Sequence, residues 1–324
     1  MTHHKPRNRI SGPPAPTRPI RNATVLVLGA TGVVGSAVTR RLLANGVHVV
    51  AHGRDRSRLA QLQAFGASSV QSDIRADGTG STLLRVASDA IAVVSFLPPE
   101  PAVIRAAGRL MGGMPGTYRI HLSSAAVYER SRDQYDLTER GVRTSCPFLA
   151  SERTLERATQ GCVTLIRPGR LYGADALYRP IQAWARSGPL PLIRNGDVET
   201  SVLSLDDLSD AITHLIGSPA AGRAFGPYNL ASARFPVQYL VGKMFAGQGG
   251  RVSWRPASRI GLRVGESARA LFKLLDGAGP SPVNVAKLLG WSLTLDSSAF
   301  RRETGWTPRA ENRTCVEPGM NDPF

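Results

Sequence analysis

Three glycines spaced three residues apart, Gly29, Gly32 and Gly35, follow directly on the apolar run 24–28. Apolar residues then recur at helical spacing over 34–42, so the stretch predicts a strand, a tight turn and a helix in succession. Glycine suits such a turn because the backbone can bend sharply and approach a pyrophosphate at the helix N-terminus. The stretch therefore predicts dinucleotide binding, with a glycine turn that only packs helix on strand as the plainer alternative.

Strands and helices continue to alternate along the first 124 residues. Such alternation is typical of a parallel, doubly wound sheet that binds its ligand at the carboxyl ends of the strands. We therefore expect an α/β fold with a Rossmann-type doubly wound parallel sheet. The predicted strands lie at 47–51, 69–74, 90–97 and 118–124, and the predicted helices at 57–65, 81–87 and 101–111.

Three arginines, Arg54, Arg56 and Arg58, follow the tip of the second strand at Gly53. A carboxylate there would bind an adenosine 2′-hydroxyl, whereas guanidinium groups pair bidentately with a phosphate. The cluster favours NADP over NAD, although it also suits a solvated helix start. Asp73 could meet the adenine edge. The residues predicted to bind the cofactor are Gly29, Thr31, Gly32, Val33, Val34, Gly35, Arg54, Arg56, Arg58, Asp73, Ile74, Leu97 and Pro168.

The charge balance favours anionic partners, since 40 basic and 24 acidic residues give a net charge of +16. Lysine is scarce, and none lies between Lys5 and Lys243. No helix-turn-helix, zinc or RNA-binding pattern favours nucleic acid. No apolar run approaches a membrane span, and nothing indicates a metal site. The scattered Cys146, Cys162 and Cys315 fit reduced thiols, so we expect a cytoplasmic protein.

A series of short motifs runs in order along the chain. The motifs are Gly-Ala-Thr-Gly-Val-Val-Gly at 29–35, Asp-Ile at 73–74, Leu-Ser-Ser-Ala-Ala-Val-Tyr at 122–128, Arg-Pro-Gly-Arg-Leu-Tyr-Gly at 167–173, Val-Leu-Ser-Leu-Asp-Asp-Leu at 202–208, Tyr-Asn-Leu at 228–230 and Phe-Arg-Arg-Glu-Thr-Gly-Trp-Thr-Pro at 300–308. Together they resemble the extended short-chain dehydrogenase/reductase family, the NAD(P)-dependent epimerase/dehydratase group, over roughly residues 24–309. Within it, the opening and the tail at 298–309 are most similar to dTDP-4-keto-6-deoxyhexose 4-ketoreductases.

The resemblance implies a cofactor-binding domain and a smaller C-terminal substrate lobe. We expect a disordered basic arm at 1–22 and an NADP-binding Rossmann domain at 23–175, with 196–232 returning to its sheet. Residues 176–195 and 233–324 would form the substrate lobe. Four arginines fall in segments that line the substrate cleft of related enzymes: Arg179, Arg194, Arg259 and Arg263.

The family's chemistry uses a Ser or Thr together with a Tyr-x-x-x-Lys helix, and this chain departs from that pattern. Ser124 falls on the family's serine, but Phe148 takes the tyrosine position and Glu152 the lysine position. Phenylalanine has no titrating group, and glutamate reverses the charge that lowers the pKa of the phenol. Loss of a positioned general acid costs about 10²–10⁴ in rate. We interpret the Tyr-x-x-x-Lys at 239–243 as a chance match in the substrate lobe.

Other groups could supply the proton. Tyr128 belongs to a family motif and lies near the site, where its usual role is to line the pocket. His121 could act as an acid, although a strand histidine also fits a packed core position. Glu152 could act as a base if burial raised its pKa, or could instead bind ribose hydroxyls or pair with Arg153 or Arg157. With the family serine, Tyr128 and Glu152 are the predicted catalytic residues.

Three functions follow from these expectations. The leading one is an NADP-dependent oxidoreductase or epimerase that acts on a nucleotide-activated deoxysugar or related carbonyl compound in secondary-metabolite biosynthesis. The second is a non-redox cyclase, dehydratase or lyase on the same fold. The third is a non-catalytic NADP-binding sensor or helper subunit. The family commonly dimerises through helices beside the Phe148 segment, so a homodimer is also expected.

Overall fold

The computed structural model describes residues 20–128, 132–141, 143, 145–173, 188–193, 196–218, 226–246, 253–258 and 289–309. The predicted arm, apart from its last residues, and the four predicted cleft arginines (Arg179, Arg194, Arg259 and Arg263) lie outside these described residues.

Fourteen strands occur in the described chain. They are β1 Thr24–Leu28, β2 His48–Gly53, β3 Ser68–Gln71, β4 Ala90–Ser95, β5 Tyr118–Leu122, β6 Gln134–Leu137, β7 Thr164–Pro168, β8 Arg170–Tyr172, β9 Leu190–Leu192, β10 Glu199–Ser204, β11 Gly226–Leu230, β12 Ala233–Pro236, β13 Trp254–Pro256 and β14 Leu293–Leu295.

The described helices connect these strands. They are α1 Val33–Ala44, α2 Arg56–Ala64, α3 Thr79–Val86, α4 Pro101–Gly112, α5 Pro147–Ala158, α6 Leu205–Gly217, α7 Val237–Ala246 and α8 Ser298–Thr304, with a short 3₁₀ turn at Ala125–Tyr128. None of them is long and apolar enough to cross a lipid bilayer.

Seven parallel strands form the main sheet in the order β11-β7-β5-β4-β1-β2-β3. Helices α1, α2, α6 and α8 bury their apolar residues against one face, and α3, α4 and α5 cover the other face. Strands β1, β4 and β7 are largely buried on both faces, which explains their nearly continuous apolar sequences, whereas the edge strand β3 is polar and partly exposed. The predicted α/β doubly wound fold is confirmed.

A smaller mixed sheet follows the order β12-β10-β14-β6, with β8 paired to β10. Strand β12 runs antiparallel to β10, while β14 and β8 run parallel to it. This sheet packs beside the carboxyl end of the main sheet, because β8 follows β7 after a single residue. The molecule thus has the expected second, smaller lobe.

Local chemistry sets the helix starts. The predicted helix at 57–65 begins at Arg56 because the Asp55 side chain caps it, accepting a hydrogen bond from the Arg58 amide. The next helix begins at Thr79, earlier than predicted, because Gly78 adopts the left-handed conformation and turns the chain into it.

Helices α4 and α5 approach each other closely through glycine. A Cβ atom at Gly112 would lie 2.7 Å from the Ala158 carbonyl oxygen, and one at Gly108 would lie 2.9 Å from the Ala158 Cβ. Because the contact at Gly112 is with rigid backbone, the two helices would have to separate to accept any side chain there.

We predict that Gly112→Ala lowers the free energy of unfolding by about 1–2 kcal/mol, because overpacking outweighs the better helix propensity of alanine. Gly80→Ala is the matched control, since Gly80 lies in α3 with no atom within 4 Å of its added Cβ. Urea unfolding should show opposite signs for the two variants. Equal or greater stability of Gly112→Ala would contradict the close packing.

Candidate functional site

The glycine turn between β1 and α1 is held against β2. The amides of Gly29 and Ala30 donate to the His52 carbonyl at 3.0 and 2.9 Å, and Gly29 adopts φ = 77°. A Cβ at Gly35 would lie 2.2 Å from the Gly29 oxygen, so only glycine fits there. The N-cap of α1 is Gly32, and no side chain caps this helix. The turn therefore offers an open helix N-terminus, as an anionic ligand requires.

The arginine-rich segment lies directly beside this turn. A Cβ at Gly53 would lie 2.5 Å from the Thr31 side chain, and Arg58 donates through Nη1 to the Thr31 carbonyl at 2.9 Å. Arg54 follows β2 and Arg56 begins α2, and both are exposed. The three predicted arginines are thus gathered at the edge of the glycine turn.

Asp73 is already engaged by a residue that the sequence analysis did not single out. Arg75 binds its carboxylate bidentately, through Nε at 2.9 Å and Nη2 at 2.6 Å. The side-chain and backbone hydrogen bonds from Arg75 hold the pKa of Asp73 well below its usual range, and the charge of Arg54 adds to this. The spacing of Asp73 and Arg75, two residues apart, was the signal in the sequence that could have indicated this pairing. Ile74 between them is buried.

Leu97 and Pro168 extend the site along the sheet edge. Leu97 follows β4 and lies beside the turn, with its amide 3.5 Å from the position of a Gly29 Cβ. Pro168 ends β7 and is paired in register with Leu230 of β11. The predicted cofactor residues from β1 to β4 therefore share one region, and Pro168 lies two strands beyond β4 on the same edge.

Glu152, at the family's lysine position, lies in a buried ion pair with Arg167. The Arg167 guanidinium donates through Nε at 2.8 Å and Nη2 at 2.6 Å to the two carboxylate oxygens. The Glu152 side chain is 1% exposed and the Arg167 side chain is 0% exposed. Burial alone would lower the pKa of Arg167, but hydrogen bonds and charge from Glu152 raise it overall. Ser123 also donates to Glu152, at 2.6 Å.

The alternative pairing of Glu152 with Arg153 or Arg157 is wrong. Both arginines are exposed on α5, whereas Glu152 lies on the face of α5 that packs against the main sheet. Helical neighbours in sequence point in different directions, and the partner comes instead from strand β7.

Tyr128 is part of the same network. Its hydroxyl accepts a hydrogen bond from Arg167 Nη1 at 2.7 Å and donates to Asn229 Oδ1 at 2.9 Å. The Asn229 amide in turn donates to the Leu137 carbonyl at 2.7 Å, and its backbone N–H donates to Glu139 at 3.0 Å. Burial raises the pKa of Tyr128, and Arg167 only partly offsets this effect. The Tyr128 phenol thus stays protonated, and its hydroxyl hydrogen is engaged in the hydrogen bond to Asn229.

Ser124 and Phe148 differ from these buried groups. The Ser124 oxygen accepts a hydrogen bond from the Ala126 amide at 3.1 Å, which leaves its proton available, and the residue is half-buried. Phe148 is also half-buried and packs against the apolar cluster that contains Tyr128 and Leu149. The Phe148 ring therefore packs against this cluster at the position where the resembled dehydrogenase/reductase family has a tyrosine.

His121 lies buried in the sheet, and its Nδ1 is 3.1 Å from the Ser95 hydroxyl on β4. Burial lowers its pKa to about 4, so the imidazole is neutral near pH 7. The imidazole is therefore a packed core group on its strand, which was the plainer of the two interpretations of the sequence.

The Tyr-x-x-x-Lys sequence at 239–243 lies on α7, where the Tyr239 ring is 5.4 Å from the Phe235 ring. No group of three or more His, Cys, Asp or Glu among the described residues could hold a metal ion.

One sequence-family model matches part of the chain. Residues 21–104, which hold the glycine turn and the arginine segment, match the sequence model of the NmrA-like family. No curated protein matches the sequence.

Solved structures share the fold over most of the chain. A UDP-glucose-4-epimerase from Stenotrophomonas maltophila with bound NAD aligns at 18% identity and a TM-score of 0.66, covering 90% of this chain and 94% of its own. A dTDP-glucose 4,6-dehydratase from Bacillus anthracis in complex with NAD aligns at 15% identity and a TM-score of 0.64, covering 91% and 94%. A dTDP-glucose 4,6-dehydratase double mutant from Streptomyces venezuelae aligns at 20% identity and a TM-score of 0.61, covering 88% and 92%.

We predict that Glu152→Gln lowers the free energy of unfolding by about 3–5 kcal/mol, because it leaves the Arg167 charge buried without a counter-ion. The double variant with Arg167→Met should lose less than the sum of the two single variants. Glu100→Gln, at an exposed position with no capping hydrogen bond, is the control and should change stability by less than about 0.5 kcal/mol. Additive losses in urea unfolding would contradict the pairing.

We predict that stability falls by about 3 kcal/mol as pH drops from 6.5 to about 4, because the unfolded chain protonates His121 while the folded chain keeps it neutral. Removing the imidazole with His121→Asn should make this part of the pH profile shallower, while His52, whose pKa burial also lowers, keeps some of the slope. His48→Asn, an exposed histidine change in β2, should leave it unchanged. An identical slope in wild type and His121→Asn would refute the assignment.

Proposed function

We propose that the protein binds NADP(H) at the glycine turn and acts through that binding, as a coenzyme-responsive sensor or helper subunit, without hydride transfer by the Tyr–Lys route. The observation that carries the proposal is the buried ion pair of Glu152 with Arg167 at the position of the family's lysine. Both oxygens of this carboxylate accept hydrogen bonds inside the protein and the side chain is only 1% exposed, so Glu152 is not placed to orient a nicotinamide ribose or to activate a phenol.

The coenzyme part of the proposal is supported by the fit of the turn to a pyrophosphate. Glycine at 29, 32 and 35 keeps the backbone clear of side chains, and the N-terminus of α1 has no side-chain cap. Backbone amides there would face the phosphates, assisted by the helix dipole. The NmrA-like match over this region and the NAD bound in structures of the same fold support a dinucleotide as the ligand.

The preference for NADP is supported by the arginines beside the turn. Arg58 contacts the Thr31 carbonyl, and Arg54 and Arg56 are exposed next to it. No carboxylate stands at the tip of β2, where an NAD-specific site would bind the ribose 2′-hydroxyl. Guanidinium groups at this place favour a 2′-phosphate through bidentate hydrogen bonds.

The absence of Tyr–Lys chemistry is supported by the state of each candidate group. Phe148 has no hydroxyl, and the Tyr128 hydroxyl donates to Asn229 while it accepts from Arg167. The pKa of Tyr128 is raised by burial, whereas a catalytic phenol needs a lowered one. Both groups therefore stabilise the fold instead of moving a proton.

A second candidate function, reduction or epimerisation of a nucleotide-activated deoxysugar, is favoured by Ser124. This hydroxyl keeps its proton available at the carboxyl end of β5 and could polarise a carbonyl. The smaller sheet is also retained, and the chain aligns over most of its length with enzymes named for UDP-sugar and dTDP-sugar substrates. Water would then have to supply the proton.

Calorimetric titration tests the binding proposal. We expect NADPH to bind more tightly than NADH, and the double variant Arg54→Ala/Arg58→Ala to weaken NADPH by about 10–100-fold while it leaves NADH nearly unchanged. Arg302→Ala, an exposed arginine change on α8, is the control. Failure to bind either coenzyme, or equal losses for both coenzymes, would contradict the proposal.

Turnover assays separate the two candidate functions. With NADPH and a dTDP-4-keto-6-deoxysugar, we expect no consumption of NADPH above background. Steady consumption that Ser124→Ala abolishes would establish the enzyme instead of the sensor.

A further inference from the structure

The outer surface of helices α3, α4 and α5 carries a concentration of arginine. The exposed residues are Arg85 on α3, Arg105 and Arg109 on α4, and Arg153 and Arg157 on α5. None of these five forms an ion pair with a carboxylate of the described residues. We call this surface the arginine face.

The helices of the arginine face lie side by side at fixed spacing. Gly108 and Gly112 of α4 contact Ala158 of α5, which holds these two helices at the close end of the usual range of about 8–10 Å. Along each helix the two arginines are four residues apart, a rise of about 6 Å. The guanidinium groups therefore stem from two adjacent rows on one rigid support.

Few carboxylates balance this charge. Glu156 on α5 is half-buried, while Asp77, Asp89 and Glu100 lie outside the helices at the ends of α3 and α4. Asp89 also accepts a hydrogen bond from Thr24 at 2.6 Å. The opposite layer is different, because Asp210 on α6 pairs with Arg41 and Arg309. Among the described residues, the arginine face thus carries more basic than acidic side chains.

A second copy of this chain is a poor partner for the arginine face. A two-fold contact places each patch against itself, so the arginine rows of one copy would face those of the other. Like charges in such a contact oppose association. The homodimer expected through the helices beside Phe148 is therefore disfavoured.

Nucleic acid also fits less well than protein. Phosphate contacts usually combine arginine with hydroxyl, amide or helix N-terminal donors. On the arginine face the Thr154 hydroxyl donates to Ala150 of its own helix, and α4 and α5 each begin with proline, which removes a terminal N–H. The exposed small residues there, Ala102 and Ala150, instead suit contact with an apolar side chain.

We propose that the arginine face docks an acidic amphipathic helix of a partner protein. Carboxylates at i and i+4 on such a helix repeat at the same rise of about 6 Å as the arginine pairs, and its alanine or leucine side chains would contact Ala102 and Ala150. The small residues let the helix approach closely while the arginines flank it. This docking does not depend on coenzyme binding, so either proposal can fail alone.

The test uses the full chain and a fluorescent helical peptide of Glu, Ala and Leu with glutamates at i,i+4 spacing. Its Lys-for-Glu counterpart and duplex DNA of about 20 base pairs, near two helical turns, are the comparison probes. Arg105→Glu/Arg109→Glu and Arg153→Glu/Arg157→Glu alter the face. Arg255→Glu/Arg302→Glu makes the same change in net charge at exposed positions on other elements.

We expect each face variant to weaken binding of the acidic peptide at least tenfold at about 0.1 M salt, where the Debye length is about 10 Å, with the control variant within threefold of wild type. No binding by wild type, or equal weakening in face and control variants, would overturn the proposal. Tighter binding of DNA that only the face variants lose would assign the face to nucleic acid. Self-association in sedimentation that only the face variants abolish would assign it to a second copy.

Discussion

Arg167 and Glu152 bury opposite charges in contact at the carboxyl end of the main sheet, and much of the surrounding structure depends on them. Two charges taken out of water are tolerated only when each satisfies the other and further hydrogen bonds complete the set. Here Ser123 and Tyr128 supply those bonds, and Asn229 passes the network to the Leu137 carbonyl on the smaller sheet. The network around this ion pair thus links β7, β11, α5 and the segment after β5 in the main layer with β6 of the smaller sheet.

The glycine turn and the ion-pair network are separate regions of the molecule. The glycine turn, the open start of α1 and the adjacent arginines form the region where we propose that a phosphorylated dinucleotide binds. At the tyrosine and lysine positions of the family that the sequence resembles, Phe148 packs in an apolar cluster and Glu152 pairs with Arg167. A site that can bind a coenzyme, but whose tyrosine and lysine positions serve packing and ion pairing, is suited to detect a coenzyme or to present it. For this reason we favour binding as the function.

The α/β fold was predictable because apolar period and glycine spacing are local properties, and a parallel sheet with helices on both faces appeared as expected, although β7 and β11 were not among the predicted strands. The closeness of the glycine turn to the tip of β2 was also predictable, since a strand, a turn and the next strand tip must meet, while coenzyme binding by these residues stays a prediction. The partner of Glu152 was not predictable, because Arg153 and Arg157 are near in sequence but exposed, while Arg167 reaches it from another strand. Asn229 was missed for the same reason, because its partner Tyr128 lies on a distant element. Arg75 differs, since its partner Asp73 is only two residues away and the local spacing was an available signal.

A crystal structure of the protein with NADP bound is the most direct test of the central claim. The account predicts a coenzyme along the glycine turn, its 2′-phosphate among Arg54, Arg56 and Arg58, and Glu152 still bound bidentately to Arg167. It is contradicted if Glu152 leaves Arg167 and turns to the nicotinamide ribose, or if Tyr128 releases Asn229 and points toward the nicotinamide ring.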